Sequence, residues 1–421
     1  MRKLCYTLAL ALLTLPLSAQ LTLEQCQEKA RAHYPAIRRY QLVEKTREIS
    51  LANASNAWIP QILLGAQATW QNAVSAFPEA LTGIISAQGY DFPGMRKDQY
   101  KLSLQVDQPL WDGGQSKAQR DLSDAQYAEQ AGQLDVDMYG LEERIEEVYF
   151  GILMLDSRIE GAENMIALLK GNWDQAKSLV RGGAVLQSDA DALEAELLSA
   201  RQSLAALSSS RDAYKRVLEL FIGEPVSNGL ERPRMPSRRD VPRPEIKLID
   251  AKIGTLNAQE KLLKSSLMPR FSAFAQGWYG YPGLDMFQSM TSGEWTWNAV
   301  IGIRMNWNVS ALFTQKNHQE QIQTARSQAE IQKDLFTFNT SLQSISLDAN
   351  LSRLQDTVTE DERIAELRRS IRKAAESKYR NGTITATELL KAISDETTAT
   401  ISAESHALEL LKTAYQSRHN Q

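Results

Sequence analysis

Cysteine is almost missing from this sequence: Cys5 and Cys26 are the only two in 421 residues. Cys5 falls in a leader-like segment, so a mature chain keeps one thiol and has no internal disulfide. An isolated Cys26 on an apolar helix stripe reads as a small core residue. No lipobox-like cysteine follows the leader's apolar run, which argues against a lipid anchor there. Proline is absent between Pro109 and Pro225 and again after Pro282. Proline in a helix interior costs about 3 kcal/mol, so these gaps are where long helices can run. Beyond the first residues no stretch approaches the ~18 apolar residues of a membrane helix. Any membrane passage must then be made by strands. There is also no basic stripe of the kind a nucleic-acid partner requires.

Catalytic groupings are missing too. His33, His318, His406 and His419 are scattered, with no zinc-type pairing. No phosphate-cradling glycine loop, serine elbow or cysteine pair occurs. Asp189 with Asp191, and Glu142-Glu143 with Glu146-Glu147, are adjacent carboxylates on helical stretches, where such charge reads as a solvated face. The expectation is a protein that is not an enzyme, with no catalytic residue, no metal site and no cofactor.

The first 19 residues carry Arg2 and Lys3, an apolar run from Thr7 to Leu15, then Pro16 and Ser18-Ala19. This is the order of a secretory signal peptide, with cleavage expected after Ala19. Its removal leaves 45 basic against 51 acidic residues.

The remaining chain repeats itself. Pro35-Ala36-Ile37 precedes Pro60 by the same 25 residues that separate Pro244-Glu245-Ile246 from Pro269. Each of these later prolines opens a run of alternating residues, then a variable stretch, then a second alternating run. The second run ends at Trp111-Asp112-Gly113-Gly114 in one copy and Trp307-Asn308-Val309-Ser310 in the other. From Trp111 to Gly183 is 72 residues and from Trp307 to Gly382 is 75, nearly all helix-like. Five prolines, from Pro225 to Pro244, crowd the junction. The division expected is a signal at 1–19, a first repeat at 20–224, a linker at 225–243 and a second repeat at 244–421. Strands are expected near 61–74, 99–110, 270–281 and 295–308, and long helices near 113–181, 187–222, 311–380 and 386–416.

In the strand runs Ile62, Leu64, Ala66, Ala68 and Trp70 share one face, as do Tyr100, Leu102, Leu104 and Val106. Phe271, Ala273, Ala275 and Tyr279 do the same, interrupted on the polar side by Phe274 and Trp278. Trp295, Trp297, Ala299, Ile301, Ile303, Met305 and Trp307 form the fourth set. Two readings fit a period of two with a polar alternate face. One is a half-buried sheet over a protein core. The other is a membrane barrel with lipid outside and water inside, whose strands need about 9 to 11 residues. Seven of the eight tryptophans lie in or at the ends of these runs, as an interfacial girdle requires, and favour the barrel. Four strands cannot close one, since about eight is the minimum, so two chains giving eight strands or three giving twelve are needed. On the barrel reading Ile301→Arg should impair insertion, whereas Asn298→Arg on the polar face should be tolerated.

The helical stretches step by 4 and 3. Leu141, Ile145, Val148, Ile152, Leu155, Ile159, Ala162, Ile166, Leu169, Trp173, Ala176 and Val180 form a heptad seam. It resumes at Leu193, Leu197 and Ala200. The second copy offers Leu347, Leu351, Leu354 and Val358, then Ile364, Leu367, Ile371 and Ala374.

The ordered set resembles the TolC-like outer membrane efflux proteins over nearly the whole mature chain. Its carriers are the opening Leu21-Thr22-Leu23-Glu24-Gln25-Cys26 with Pro35 downstream, the strand entries at Pro60 and Pro269, the exit at Trp111-Asp112-Gly113-Gly114, and two glycine-marked helix turns. The resemblance implies an α+β membrane protein in which a duplicated unit gives two membrane strands plus long coiled-coil helices. Four strands per chain would enter a trimeric 12-stranded β-barrel continued by a periplasmic α-barrel. It implies an outer membrane exit duct, a homotrimer in outer membrane lipid, whose partners are a periplasmic adaptor and an inner-membrane transporter. An exit duct for type I protein secretion would have the same chain, and a periplasmic coiled-coil scaffold without a barrel is the structural alternative.

The resemblance also places the adaptor contact at the turns holding Gly182, Gly183 and Val185, and Gly382 and Thr383. The periplasmic mouth and its selectivity fall to Asp189, Tyr379, Ile384, Glu388 and Lys391. The pattern departs from the family's namesake at two of these. Lys391 stands where a second acid would complete a double acidic ring with Glu388, and Ile384 stands where a basic latch residue belongs. Closure is then expected to rest on apolar contacts around Ile384 and Leu390. As simple helix chemistry, Asp189 and Glu388 sit where acids cap a helix start.

Overall fold

The computed structural model describes residues 20–89, 94–237 and 242–420. The expected signal segment 1–19 lies outside them, as do 90–93 in the first strand-to-strand loop and 238–241 in the proline-rich junction. Nine helices and four strands occur among the described residues. In order they are α1 (Leu23–His33), α2 (Ile37–Asn56), β1 (Gln61–Trp70), α3 (Glu79–Ser86), β2 (Asp98–Trp111), α4 (Gln115–Arg181), α5 (Gln187–Ile222), α6 (Pro244–Ser266), β3 (Arg270–Tyr281), α7 (Met286–Thr291), β4 (Thr296–Asn306), α8 (Ala311–Arg380) and α9 (Ala386–His419). The two longest, α4 and α8, have 67 and 70 residues and contain no proline.

The chain divides into two compact units, each drawing on both halves of the sequence. One holds the residues up to Gln41, Ala131–Leu248 and Ile331 onward; the other holds Leu42–Gln130 and Ile249–Glu330.

The second unit contains an antiparallel sheet in the order β1-β2-β3-β4. Register aligns the apolar positions across all four strands. One rung is Ile62, Val106, Ala275 and Ile301; another is Ala66, Leu102, Tyr279 and Trp297. This face is open, with Ile301 84% and Trp297 81% exposed. At one end Tyr100 stacks on Trp295, and Tyr279 meets Trp295 and Trp297 at a tilt, at 5.1 to 5.9 Å. At the other, Trp111 meets Phe271 at 5.9 Å. Strand β1 stops at Trp70, short of the expected 74, because its partner β2 begins at Asp98. Pro109 sits at a bulge in β2, the place where a strand can carry a residue without an amide proton.

The opposite face explains the two aromatics that broke the alternation. The Arg304 guanidinium lies 4.5 Å over the Phe274 ring, and Lys101 Nζ lies 4.5 Å over Trp278. Asn298 is on this face but is not idle. Its Oδ1 accepts from the Leu284 amide at 2.6 Å and its Nδ2 donates to Thr296, so it ties down the β3–β4 loop. Asn298→Arg would break that tie, and tolerance is not expected there after all.

In the first unit a core forms where Leu23, Cys26 and Ala30 of α1 pack on Leu141, Ile145, Tyr149 and Ile152 of α4, Leu218 and Ile222 of α5, and Tyr415 of α9. Cys26 is fully buried, and burial pushes its thiol up to about 11; this is core chemistry. Thr22 and Gln25 form a reciprocal cap on α1. The Glu142–Glu147 run is only half solvated, contrary to its reading as an exposed face. Glu142 is buried against Arg31, and Glu146 accepts from Gln27 at 2.8 Å and meets His419 Nε2 at 2.7 Å. Alternate acids of a helical run face different ways, so partners decide which is buried.

The first heptad seam is buried at Leu141, Ile145, Ile152, Ile159, Leu169 and Ala176, and at Leu193 and Leu197. The second is not. Leu354 is buried, but Ile364, Leu367 and Ile371 are 44–51% exposed, because this stretch of α8 turns Arg372, Glu376 and Tyr379 inward instead. A further stripe that the sequence reading passed over, Ile331, Leu335, Phe338, Leu342 and Ile345, also steps by 4 and 3 and is exposed.

Candidate functional site

The two glycine turns join α4 to α5 and α8 to α9. In the first, the Gly183 amide donates to Val180 O at 3.0 Å and the Ala184 amide to Leu179 O at 2.9 Å. In the second, Gly382 donates to Tyr379 O and Thr383 to Lys378 O, both at 3.0 Å. Both are the crossed amide pattern of a Schellman cap, which needs a left-handed residue at the glycine. Gly183 has φ +72° and Gly382 φ +69°. Gly182, Thr383 and Ala184 are exposed and Val185 is half-buried.

The helix starts after the turns differ. Thr385 and Glu388 cap each other: the Thr385 amide donates to Glu388 Oε2 at 2.9 Å, and the Glu388 amide donates to Thr385 Oγ1 at 3.3 Å. The Thr385 amide first, and its hydroxyl second, hold the Glu388 carboxyl below its ordinary range. In the other copy Asp189 accepts from the Leu186 amide at 3.4 Å, but a leucine side chain has nothing to return, so only half of the cap exists.

Below the turns one apolar cluster joins the two hairpins. Leu169, Ala176, Ala190, Leu193 and Leu197 pack with Tyr379, Ala386, Leu389 and Ile393, and Ile384 and Leu390 lie against it. Tyr379 is 1% exposed and its hydroxyl has no hydrogen-bond partner. Burial, and then the Asp189 charge, push its phenol up. Asp189 and Tyr379 are therefore close enough to interact without a hydrogen bond between them. Glu388 and Lys391 are both exposed on α9. Of the five mouth candidates, Tyr379 and Ile384 thus belong to this cluster and Asp189 acts on Tyr379, while Glu388 and Lys391 lie exposed three residues apart on α9.

The sequence reading missed an ionic group beside this cluster. Arg372 donates to Glu396 through Nε and to Glu376 at 2.8 Å through Nη1, and Arg369 lies 3.4 Å from Glu396. Asn172 of α4 reaches Glu376 at 3.5 Å. Arg372 and Glu396 are 9% and 8% exposed. Burial works against the Arg372 charge, but the hydrogen bonds to Glu396 and Glu376 prevail and its pKa is raised. The signal available was the Arg372–Glu376 spacing, four apart on the side of the helix that Tyr379 shares.

The four histidines stay apart. His406 meets Asp361 at 2.5 Å and His419 meets Glu146. Among the described residues no three His, Cys, Asp or Glu converge as for a metal ion. No described helix is long and apolar enough to cross a membrane.

Residues 27–224 match the family model described as outer membrane efflux protein. Among solved structures, the chain is similar to the outer-membrane channel OprN, at 17% identity and TM-score 0.69 over 95% of this chain and 90% of that one. It is also similar to the outer membrane protein VceC of Vibrio cholerae (15%, 0.68, 94% and 96%). A third likeness is to the CmeC outer membrane channel of Campylobacter jejuni (12%, 0.65, 94% and 85%). No curated protein matches the sequence.

Proposed function

We propose that the chain is one of the outer membrane efflux proteins of TolC-like fold, a reading supported by the family match over residues 27–224 and the fold likeness to OprN and VceC, and that it is the exit duct of a tripartite export system. It is an outer membrane protein and a transport channel, not an enzyme. Three copies would each add four strands to one barrel, with a periplasmic adaptor and an inner-membrane transporter feeding the helical end. The observation that carries this reading is the sheet. It has an exposed apolar face with aromatic ends, a polar face, and neither β1 nor β4 paired on its outer edge among the described residues. Open edges are not tolerated in lipid, so other chains must complete it. The exposed stripe Ile331–Leu335–Phe338–Leu342–Ile345 on α8 has the heptad spacing of a seam, and a second copy is the natural cover.

On this reading Asp189, Tyr379, Ile384, Glu388 and Lys391 form the mouth, and the turns at Gly182, Gly183, Val185, Gly382 and Thr383 meet the adaptor. The sequence division into two efflux repeats, 20–224 and 244–421, goes with it; the twin caps at Gly183 and Gly382 support it. Light scattering of the detergent-solubilised protein should give three chains per particle. A monodisperse monomer soluble without detergent would overturn the reading.

A further inference from the structure

The polar face of the sheet carries four charged side chains, and they do not balance. Lys101, Arg270 and Arg304 are basic; Asp107 is the one acid. The whole chain has a net charge of −4, so this excess of base is local. Asp107 is already engaged, 3.3 Å from Arg304 Nη1 and accepting from Gln105 Nε2 at 2.5 Å. Lys101 and Arg304 rest on the rings of Trp278 and Phe274, which hold a cation in place without cancelling its charge. Arg270 has no ionic partner among the described residues.

Arg270 faces Asn306 and Ser272 faces Arg304 across the β3–β4 pair. The two arginines are therefore diagonal neighbours on one face, about 7–8 Å apart. With Ser272, Asn306 and Asp107 they line a cavity of about 720 Å³. The other carboxylate there, Asp112, accepts from the Gly114 and Ser116 amides at 2.9 and 2.7 Å and caps α4. Both acids of this cavity are thus engaged within the protein, while one guanidinium is free.

We propose that the strand-lined stretch of the duct is an anion filter: Arg270 and Arg304, with Lys101 further along the strands, bind carboxylate, phosphate or sulfonate groups of organic cargo. Guanidinium groups take such anions through paired hydrogen bonds, and the half-buried Phe274 beside them suits the edge of a planar frame. Three copies would put six uncompensated positive charges around one strand-walled bore in a low-dielectric surround, which strengthens such a field. This inference rests on the duct reading and deepens it, since it names a class of cargo.

The probe is pyranine, a trisulfonated aromatic dye, with the purified trimer in detergent and in planar bilayers. The dye should bind by fluorescence anisotropy and block current when added to the bilayer. In the variant Lys101→Gln/Arg270→Gln/Arg304→Gln, binding should weaken about tenfold or more, the loss expected of a charged hydrogen-bonded contact, and chloride preference should fall. Asp107→Asn should move both readings the other way, which guards against a variant that merely folds badly. Unchanged dye affinity and reversal potential in both variants, with trimer and conductance intact, would overturn the filter and leave the duct standing. A protein that forms no conducting trimer would overturn the duct reading, and the filter with it.

Discussion

Gly183 and Gly382 occupy the same position in two copies of one turn, with φ of +72° and +69°. A Cβ at either would meet nothing within 4 Å, so what reserves the positions for glycine is backbone conformation and not crowding. Alanine at either should cost about 1–2 kcal/mol from the left-handed backbone alone, and asparagine less. Thermal unfolding followed by circular dichroism checks this; equal losses for alanine and asparagine would point to another cause. Bulkier residues there should abolish export while leaving the amount of trimer in the membrane unchanged.

Ile301→Arg should impair membrane insertion, because a basic residue at mid-bilayer on the lipid face costs about 2–4 kcal/mol. Gln276→Arg, on the polar face and free of the loop tie that occupies Asn298, should insert normally. Heat-modifiable migration of membrane fractions reports the outcome. Similar damage from both would mean that the faces are assigned the wrong way round.

Phe338→Glu places a charge in the middle of the exposed α8 stripe. If that stripe is covered by a second copy, trimer yield should drop several-fold in size-exclusion chromatography, as expected for an unpaired charge buried in a seam. Thr337→Glu, exposed and off the stripe, should leave yield intact.

At the mouth, Lys391→Asp should raise cation preference and promote block by multivalent cations, since it adds a second acidic ring one turn from Glu388. Selectivity unchanged in planar bilayers would place Lys391 outside the lumen. The pH dependence follows from the Thr385–Glu388 cap. Glu388 is held below its ordinary 4.5. Its charge and its capping contribution should therefore persist above that value and disappear only as pH falls through the depressed one. Thr385→Ala removes the hydroxyl, so the shift of selectivity toward anions on acidification should begin at higher pH in the variant.

Arg372→Ala should destabilise the paired hairpins by up to about 3–5 kcal/mol, because Glu396 loses its buried partner and keeps only the more exposed Arg369, 3.4 Å away. The double change Arg372→Met/Glu396→Met should recover much of that loss. Hydrogen exchange at α8 and α9 amides distinguishes the two, and equal exchange would mean that the ion pair is incidental.

The sequence by itself determined where the elements run and which kind each is. Proline placement, the period-two strands and the 4–3 seam between Leu141 and Ala176 are local patterns, and backbone sterics and periodicity act on them directly. The twin turns were also legible, because a left-handed cap nearly demands glycine and leaves it at matching places in both copies. What the tertiary structure decided is which side of each helix found a partner. Ile364 and Leu367 have the spacing of a seam yet stay exposed, while Arg372 and Glu396 look like surface charge and are buried together. Glu142 and Glu146 are buried where Glu143 and Glu147 are not. Phe274 and Trp278, apparent errors in an alternating strand, are the rings on which Arg304 and Lys101 rest. None of these pairings is local in sequence: Arg304 and Asp107 are 197 residues apart, and only strand register brings their charges together.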